Sequence, residues 1–346
     1  MSSLKFIIGT LALLFLACGG EQDPSKNFQI ELEGKSNSLK FKDTVKVAVK
    51  DREGNLVPGV SFSMNGQKLS QSGDKLVFNI PDLGNQVLQA EFNWEDTPLV
   101  VNKKIRILAK DPPVLYTYEI INEYPHDINA FTQGLEFYQD TLFESTGRKG
   151  ASFIRKVAYK TGEILQQTAL DNSYFGEGIT VMNNTAYQLS WQSGTGFIYD
   201  RSSLIEKGKF QYGKSKEGWG LCNDGKIIYK SDGTEKIWKL NPQTLKEEGY
   251  IQIVTNKSVF NKANELEYVD GKIYANVWQK ESMMIIDAES GAIEGVVNFG
   301  GLKERVKQHR DLDVLNGVAY HPERQTFFVT GKNWDKLFEV RIKPKG

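Results

Sequence analysis

The chain has 346 residues, of which 40% are hydrophobic, and this is enough to build folded domains rather than a disordered polymer. Lysine plus arginine and aspartate plus glutamate both number 43, so the formal net charge is zero and no basic field is available for nucleic acid. The three histidines, His126, His309 and His321, lack the spacing of metal ligands, which argues against catalysis by a histidine-bound metal.

The N-terminus has the pattern of an export signal. Phe6–Leu16 is an apolar run, too short to cross a bilayer, which needs about 20 apolar residues. The run ends in Ala17, Cys18 and two glycines, which resembles a bacterial lipoprotein box except that Phe15 replaces the usual aliphatic residue. We predict a signal peptide at 1–17, lipid on Cys18 and a tether over 18–27, with ordinary cleavage near Ala17 as the alternative. The protein is then expected on a bacterial cell-envelope membrane, at its periplasmic or surface face.

Residues 28–110 have the pattern of a small all-β domain. Leu39–Val49 alternates apolar and polar side chains, as a half-buried strand does, and turn residues separate further short apolar segments. Six or seven short strands in this length predict an immunoglobulin-like β-sandwich, interpreted as a spacer or adhesion module. The sequence Asp111-Pro112-Pro113 marks its boundary, because consecutive prolines end strands and stiffen linkers.

Residues 114–343 contain an internal repeat. Five segments begin alike, at Gln133-Gly134-Leu135-Glu136, Glu177-Gly178-Ile179-Thr180, Trp219-Gly220-Leu221-Cys222, Glu265-Leu266-Glu267-Tyr268 and Asn316-Gly317-Val318-Ala319. Their steps of roughly 42 to 51 residues fall in the range of propeller blades. Two further strand patterns follow each start, and Val114–Asn122 supplies an outer strand for the last unit. The predicted fold is therefore all-β, a five-bladed β-propeller preceded by the small sandwich.

Equivalent positions of the five units predict a site. The first strands of propeller blades line the central channel, so residues at the same position in each repeat meet at one mouth. These positions hold different polar and aromatic residues in each unit, which suggests an apolar pocket with a few placed polar groups. The alternative is structural, with tryptophans packed between blades and asparagines closing turns. The residues at these positions are Gln133, Glu177, Trp219, Asn264, Asn316, Trp191, Ser231, Trp278 and Lys332.

The same region resembles the plant-type glutaminyl-peptide cyclotransferases over about residues 116–342. The strings that carry the resemblance come from all five units and occur in order. They are Phe131-Thr132-Gln133-Gly134-Leu135, Tyr174-Phe175-Gly176-Glu177-Gly178, Leu189-Ser190-Trp191-Gln192, Gly218-Trp219-Gly220-Leu221, Ser231-Asp232-Gly233-Thr234, Asn264-Glu265-Leu266-Glu267-Tyr268, Ala275-Asn276-Val277-Trp278, Leu315-Asn316-Gly317-Val318-Ala319 and Thr330-Gly331-Lys332.

The resemblance implies a metal-independent acyltransferase that converts the N-terminal glutamine of peptides or proteins to pyroglutamate and releases ammonia. It implies no cofactor, and no loop has the spacing of a structural calcium site. A monomer is expected. The pocket residues that carry over are Phe131, Gln133, Phe175, Glu177, Trp191, Trp219, Asn264, Trp278 and Lys332.

The chemistry of cyclisation suits this set. The α-amine must lose a proton and the leaving nitrogen must gain one, and Glu177 is the candidate to carry it. Lys332, Asn264 and Gln133 would bind the amide oxygen or hold the amine, in a division that the sequence leaves open. The five aromatic residues would enclose the substrate in a folded conformer.

Two rival hypotheses remain at this stage. One is a metal-dependent propeller hydrolase, for which the predicted ring offers only Glu177 and perhaps Glu265 as carboxylate ligands. Glu265 fits a structural role at the start of a strand better. The other is a non-catalytic surface lipoprotein whose propeller binds glycans or protein partners. An intact carboxylate and lysine beside an aromatic cage favour the enzyme.

Overall fold

A computed structural model describes residues 23–34 and 37–345. These residues form strands and two short 3-10 segments, η1 (Pro24–Asn27) and η2 (Lys303–Arg305), with no α-helix among them. No helix in these two ranges is long and apolar enough to span a bilayer. The predicted signal peptide and the predicted lipid site at Cys18 lie outside the described residues.

The N-terminal part consists of two small sheets around one core. Its strands are β1 (Gln29–Leu32), β2 (Ser38–Lys40), β3 (Thr44–Lys50), β4 (Ser61–Met64), β5 (Gln67–Lys68), β6 (Ser70–Ser72), β7 (Lys75–Val77), β8 (Gly84–Trp94) and β9 (Thr97–Leu108). One sheet has the order β1-β3-β7-β6 and the other β2-β9-β8-β4-β5. Alternate residues of the strands point into the core, where Met64, Leu88 and Ile107 are fully buried.

The predicted single strand Leu39–Val49 is wrong, because the chain changes sheet within it. Ser38–Lys40 pairs in parallel with β9, whereas Thr44–Lys50 pairs with β1 in the other sheet. Lys42 has a φ of 66°, and the Asp43 amide donates a 2.9 Å hydrogen bond to the Lys40 carbonyl. A residue in this left-handed conformation cannot continue an extended strand, so the chain turns here.

The C-terminal part contains twenty strands. They are β10 (Val114–Pro125), β11 (Thr132–Tyr138), β12 (Thr141–Thr146), β13 (Phe153–Ala158), β14 (Glu163–Ala169), β15 (Gly176–Met182), β16 (Thr185–Ser190), β17 (Thr195–Asp200), β18 (Glu206–Gln211), β19 (Leu221–Asn223), β20 (Ile228–Ser231), β21 (Lys236–Leu240), β22 (Glu247–Gln252), β23 (Ala263–Val269), β24 (Lys272–Val277), β25 (Ser282–Asp287), β26 (Ile293–Asn298), β27 (Leu315–His321), β28 (Thr326–Gly331) and β29 (Lys336–Pro344).

These strands pair in consecutive groups of four. Strands β11–β14, β15–β18 and β19–β22 form separate antiparallel sheets. Strands β23–β26 form a fourth group, and β27–β29 form the last one together with β10. A short parallel pairing of β10 with β26 joins these two groups into one eight-stranded sheet. The sequence prediction that the segment from Val114 supplies the outer strand of the last unit agrees with this pairing.

The first strands of the five groups contact one another in a closed cycle. Strand β11 contacts β15 and β27, β15 contacts β19, β19 contacts β23, and β23 contacts β27. The recurring glycines permit this approach, because a Cβ on Gly178 would lie 2.6 Å from the Trp219 carbonyl oxygen. A Cβ on Gly220 would likewise lie 2.8 Å from the Cα of Glu265. The repeated glycine therefore reflects close strand packing around a common centre.

The N-terminal part packs against the end of β22, in the third group of strands, and the residues that follow it. The side chain of Gln252 accepts a 3.0 Å hydrogen bond from the Asn85 amide and donates one of 3.1 Å to the Asn85 carbonyl. Val254 joins the apolar core of the N-terminal part, and the Ala109 amide donates to the Thr255 carbonyl. These contacts fix the N-terminal part to one side of the ring.

Candidate active site

Bulges at the start of four first strands place the polar residues of the site. The pairing register of β11, β15, β23 and β27 with its neighbouring strand shifts at the beginning of each strand. The skipped positions include Gln133, Glu177, Asn264 and Asn316. A bulge re-aims a side chain out of the regular alternation, so these residues turn toward the centre rather than into the space between sheets.

The remaining predicted residues lie at the same end of the strands. Trp191, Trp278 and Lys332 each follow the last residue of a second strand, and Trp219 lies two residues before the start of β19. Because every first strand leaves this end and every second strand returns to it, side chains from all five groups come together here.

These strand ends surround one cavity of about 160 Å³. Every pocket residue expected from the family resemblance contributes to its wall. The lining consists of Phe131, Gln133, Phe175, Glu177, Trp191, Trp219, Asn264, Trp278 and Lys332. Ser231 and Asn316, expected from the repeat alone, lie behind this wall. The Ser231 hydroxyl donates a 2.7 Å hydrogen bond to the Asn264 carbonyl.

A chain of amide hydrogen bonds ends on the carboxyl group of Glu177. Asn264 Nδ2 donates to Asn316 Oδ1 at 2.9 Å, and Asn316 Nδ2 donates to Gln133 Oε1 at 3.0 Å. Gln133 Nε2 then donates to Glu177 Oε1 at 2.8 Å. All four residues are nine-tenths or more buried. Each amide is oriented by its neighbour, so the position of Glu177 depends on residues from four groups of strands.

Burial decides the protonation of Glu177. The side chain is only 5% exposed, and desolvation raises its pKa well above the usual 4.5. The nearby Lys332 ammonium lowers this pKa, but by less, and the charge of Glu217 raises it further. The sequence left open which of these effects wins. Burial also lowers the pKa of Lys332 from 10.5, although the charge of Glu177 opposes this shift. The pocket thus holds an acid and a base whose pKa values lie closer together than usual.

Aromatic rings form the rest of the wall. Phe175 makes edge contacts with Phe131 at 6.1 Å and with Trp191 at 5.7 Å between ring centroids, and Trp219 lies 5.7 Å from Trp278. Lys332 Nζ lies 4.8 Å from the centroid of Phe131. The rings exclude water from the carboxyl group and the ammonium, and this accounts for the two pKa shifts.

Glu217 is a residue of the site that sequence reasoning missed. The indole N–H groups of Trp191 and Trp219 both donate to Glu217 Oε2 at 2.8 Å, and Gln192 Nε2 donates to the other oxygen at 3.1 Å. Burial acts to raise the pKa of Glu217, but these three hydrogen bonds lower it overall. Its only sequence signal is its place next to Gly218 and Trp219, since it occupies no repeat position.

Glu265 has a structural role in the ring. Its two carboxyl oxygens accept hydrogen bonds from the amides of Leu135 (3.2 Å) and Val318 (2.8 Å) on two other first strands, β11 and β27. Among the residues that the structure describes, no group of three or more His, Cys, Asp or Glu side chains is arranged to hold a metal ion.

The sequence comparisons agree with this site. Residues 97–342 match the sequence model of the family described as glutamine cyclotransferase. The chain belongs to the glutamine cyclotransferase family. A glutaminyl-peptide cyclotransferase of Arabidopsis thaliana is 40% identical over 228 residues, which cover 65% of this chain and 71% of the plant protein.

A solved structure supports the same family. The crystal structure of Myxococcus xanthus glutaminyl cyclase is 33% identical and superposes with a TM-score of 0.63. The similarity covers the whole of that chain and 68% of this one. This all-β chain therefore has the glutaminyl cyclase fold together with additional residues that the Myxococcus structure lacks.

Proposed function

We propose that the protein cyclises the N-terminal glutamine of peptides or proteins to pyroglutamate and releases ammonia. The observation that carries the proposal is the single cavity of aromatic, amide, lysine and carboxyl side chains in a chain of this family. The named relatives are glutaminyl cyclases. A pocket that only binds a ligand would not need a buried carboxyl group held by a chain of amides.

Glu177 is proposed to carry the proton. The substrate's α-amino nitrogen attacks its own side-chain amide carbon, a new C–N bond closes the ring, and the bond to the amide nitrogen breaks. The carboxylate takes one proton from the attacking amine and returns it to the leaving nitrogen, which departs as ammonia. A raised pKa suits both halves of this cycle, because the group must accept and release a proton near neutral pH.

The hydrogen bonds suggest how the polar residues divide their roles. Both ends of the Gln133 amide are engaged, so Gln133 orients Glu177 rather than the substrate. Asn264 donates to Asn316, and no described residue donates to its Oδ1, which is free to accept from the substrate's amine. Lys332 Nζ donates to no acceptor in the described ranges and is proposed to stabilise the negative oxygen of the tetrahedral intermediate.

The test is ammonia release from Gln-Ala amide by the full-length protein, with and without EDTA. Release that requires Glu177 and survives the chelator supports the proposal. No release from folded protein with several Gln-initiated peptides would overturn it. Release that EDTA abolishes would contradict metal-independent catalysis and the absence of a cofactor.

We also propose that residues 114–343 form a five-bladed propeller and residues 28–110 an immunoglobulin-like sandwich. Support for the propeller comes from the five groups of four strands, whose first strands contact one another in a cycle. Support for the sandwich comes from two small sheets on one apolar core. An experimental structure that paired these strands differently would contradict both assignments.

Export and anchoring are proposed from the N-terminal sequence alone. Removal of residues 1–17 and lipid on Cys18 would hold a monomeric enzyme at a bacterial envelope membrane, with 18–27 as the tether. Labelling with a radioactive fatty acid tests this: wild type should incorporate label and Cys18→Ala should not. Label in both or in neither would contradict the lipid site.

A further inference from the structure

A second concavity lies directly beside the pocket. Its volume is about 480 Å³, three times that of the pocket, and the two share the Trp219 side chain as a common wall. Asp232, Gly233, Thr234 and Trp238 also line it. Because the two concavities share Trp219, a chain that leaves the pocket past this residue reaches the groove.

Lysines surround this groove. Lys214, Lys216 and Lys236 line it. Lys262 lies at its boundary with the pocket, since the Lys262 amide donates a 3.1 Å hydrogen bond to the Gly233 carbonyl and Nζ lies 5.2 Å from the Trp278 centroid. No side chain in the described part of the chain forms an ion pair with any of these four ammonium groups.

The carboxylates of the groove are mostly engaged. Glu217 accepts from the indoles of Trp191 and Trp219, and Asp232 accepts from the indole of Trp238 at 2.7 Å. Only Glu235 keeps a carboxylate without such a partner among the groove residues. The three lysines of the lining face three carboxylates, and Lys262 at the boundary brings the ammonium groups to four. The side chains of Glu217 and Asp232 are directed at indoles of the wall, whereas Lys214, Lys216 and Lys262 are exposed, so the charges that an incoming chain meets are mostly positive.

We infer that this groove binds the residues that follow the N-terminal glutamine, and that its lysines favour substrates with acidic side chains there. The inference rests on the proposed glutaminyl cyclase activity. With glutamine in the pocket, the next residues cross Trp219 and meet four ammonium groups that form no ion pair with a described residue. Carboxylates in the substrate would interact favourably with them, and substrate lysines would be repelled.

The experiment compares kcat/KM for ammonia release from three amidated peptides, Gln-Ala-Glu-Glu, Gln-Ala-Ala-Ala and Gln-Ala-Lys-Lys. At low ionic strength the acidic peptide should exceed the lysine peptide by about 5- to 10-fold, since exposed charge pairs contribute a few tenths of a kcal/mol each. The ratio should approach one at 0.5 M NaCl, because salt screens exposed charges.

A double variant localises the effect. Lys214→Ser with Lys216→Ser should lower the ratio of acidic to lysine peptide by about threefold at low salt. The matched control is Lys226→Ser with Lys246→Ser. These two exposed lysines lie in turns of the sheet β19–β22, at the end opposite the groove, and the variant should keep the wild-type ratio. A ratio from one preparation is insensitive to the fraction of active protein.

The outcomes separate the two proposals. Equal rates for all three peptides in the wild type would overturn the groove inference and leave the cyclase activity standing. A preference that both double variants retain would also overturn it, because the selectivity would then come from elsewhere. Absence of ammonia release from every peptide would overturn the activity and the inference with it.

Discussion

Gln133 donates a 2.8 Å hydrogen bond to Glu177, although the two residues lie 44 positions apart and in different sheets. The contact shows that the position of Glu177 depends on a residue from a neighbouring group of strands and not only on its own strand. Glu177→Gln removes the proton carrier but keeps the shape of the side chain. We expect kcat to fall by about 10²- to 10⁴-fold with unchanged thermal unfolding. Near-normal turnover in this variant would exclude Glu177 as the acid–base group.

Asn316 links Asn264 to Gln133 in the amide chain and does not line the pocket. Asn316→Ala should lower kcat by about 10- to 100-fold with a smaller change in KM, because Gln133 and Asn264 lose their orientation. Thr326→Ala, which removes a buried hydroxyl at the other end of the neighbouring strand, is the control for general loss of stability. Equal losses of kcat in the two variants would argue against a positioning role for Asn316.

Glu217 is expected to position two walls of the cage. Glu217→Ala leaves the indoles of Trp191 and Trp219 without their acceptor, so KM should rise and the tryptophan emission should shift to longer wavelength. The carboxylate also raises the pKa of Glu177, and its loss should move the acidic limb of the kcat profile to lower pH. Glu248→Ala, an exposed change at the far end of the third sheet, should alter none of these. An unchanged pH profile in Glu217→Ala would contradict the electrostatic part of the prediction.

The pH dependence of catalysis should also reveal Lys332. Burial lowers its pKa from 10.5, so the ammonium that stabilises the intermediate loses its proton at a lower pH than an exposed lysine would. Activity should therefore decline on an alkaline limb below pH 10.5. Lys332→Arg keeps its charge throughout this range and should lose that limb, whatever its absolute rate. A retained alkaline limb would assign the titration to another group.

Buried carboxyl groups away from the pocket should make the fold less stable in alkali. Burial raises the pKa of Glu136 to about 8 and that of Glu267 well above 4.5, and Glu267 Oε2 has no hydrogen-bond partner among the described residues. These groups hold protons in the folded state that the unfolded chain releases near pH 4.5. Their stabilisation is complete below that pH and is lost as the pH rises through the raised values.

Urea unfolding at pH 5 and pH 9 measures this effect. Wild type should lose free energy of unfolding between the two values, and Glu267→Gln should lose less because its side chain cannot ionise. Glu323→Gln, an exposed change, should follow the wild type. Parallel curves for Glu267→Gln and wild type would show that Glu267 does not ionise in this range.

The repeat and the clustering of the pocket residues could be predicted from the sequence, because both follow from residue patterns that recur in each unit. The two strand patterns predicted after each repeat start are present in all five groups. Repeat positions brought Glu177 and Lys332 together, since equivalent strand ends meet at one mouth. Phe131 and Phe175 came from the family resemblance alone.

Other features could not be predicted because they depend on contacts between distant residues. The bond from Trp191 to Glu217 joins two loops whose separation follows from the packing of neighbouring sheets. The chain leaves its first sheet at Lys42 although the alternation of side chains continues on both sides of that residue. The raised pKa of Glu177 likewise depends on how closely the aromatic walls approach it, which no spacing in the sequence specifies.

The last group of strands is completed by β10 and β29, which lie at opposite ends of the C-terminal part. Tyr118 is aligned with Ile342 in this pairing, so the ring has a seam that closes only when the final strand arrives. During translation every other sheet can form before Lys336–Pro344 leaves the ribosome. Enzymatic activity in a cell-free synthesis experiment should therefore appear only after the final strand has been released. The time at which ammonia release begins would then report when the last group of strands is complete, rather than when any other sheet folds.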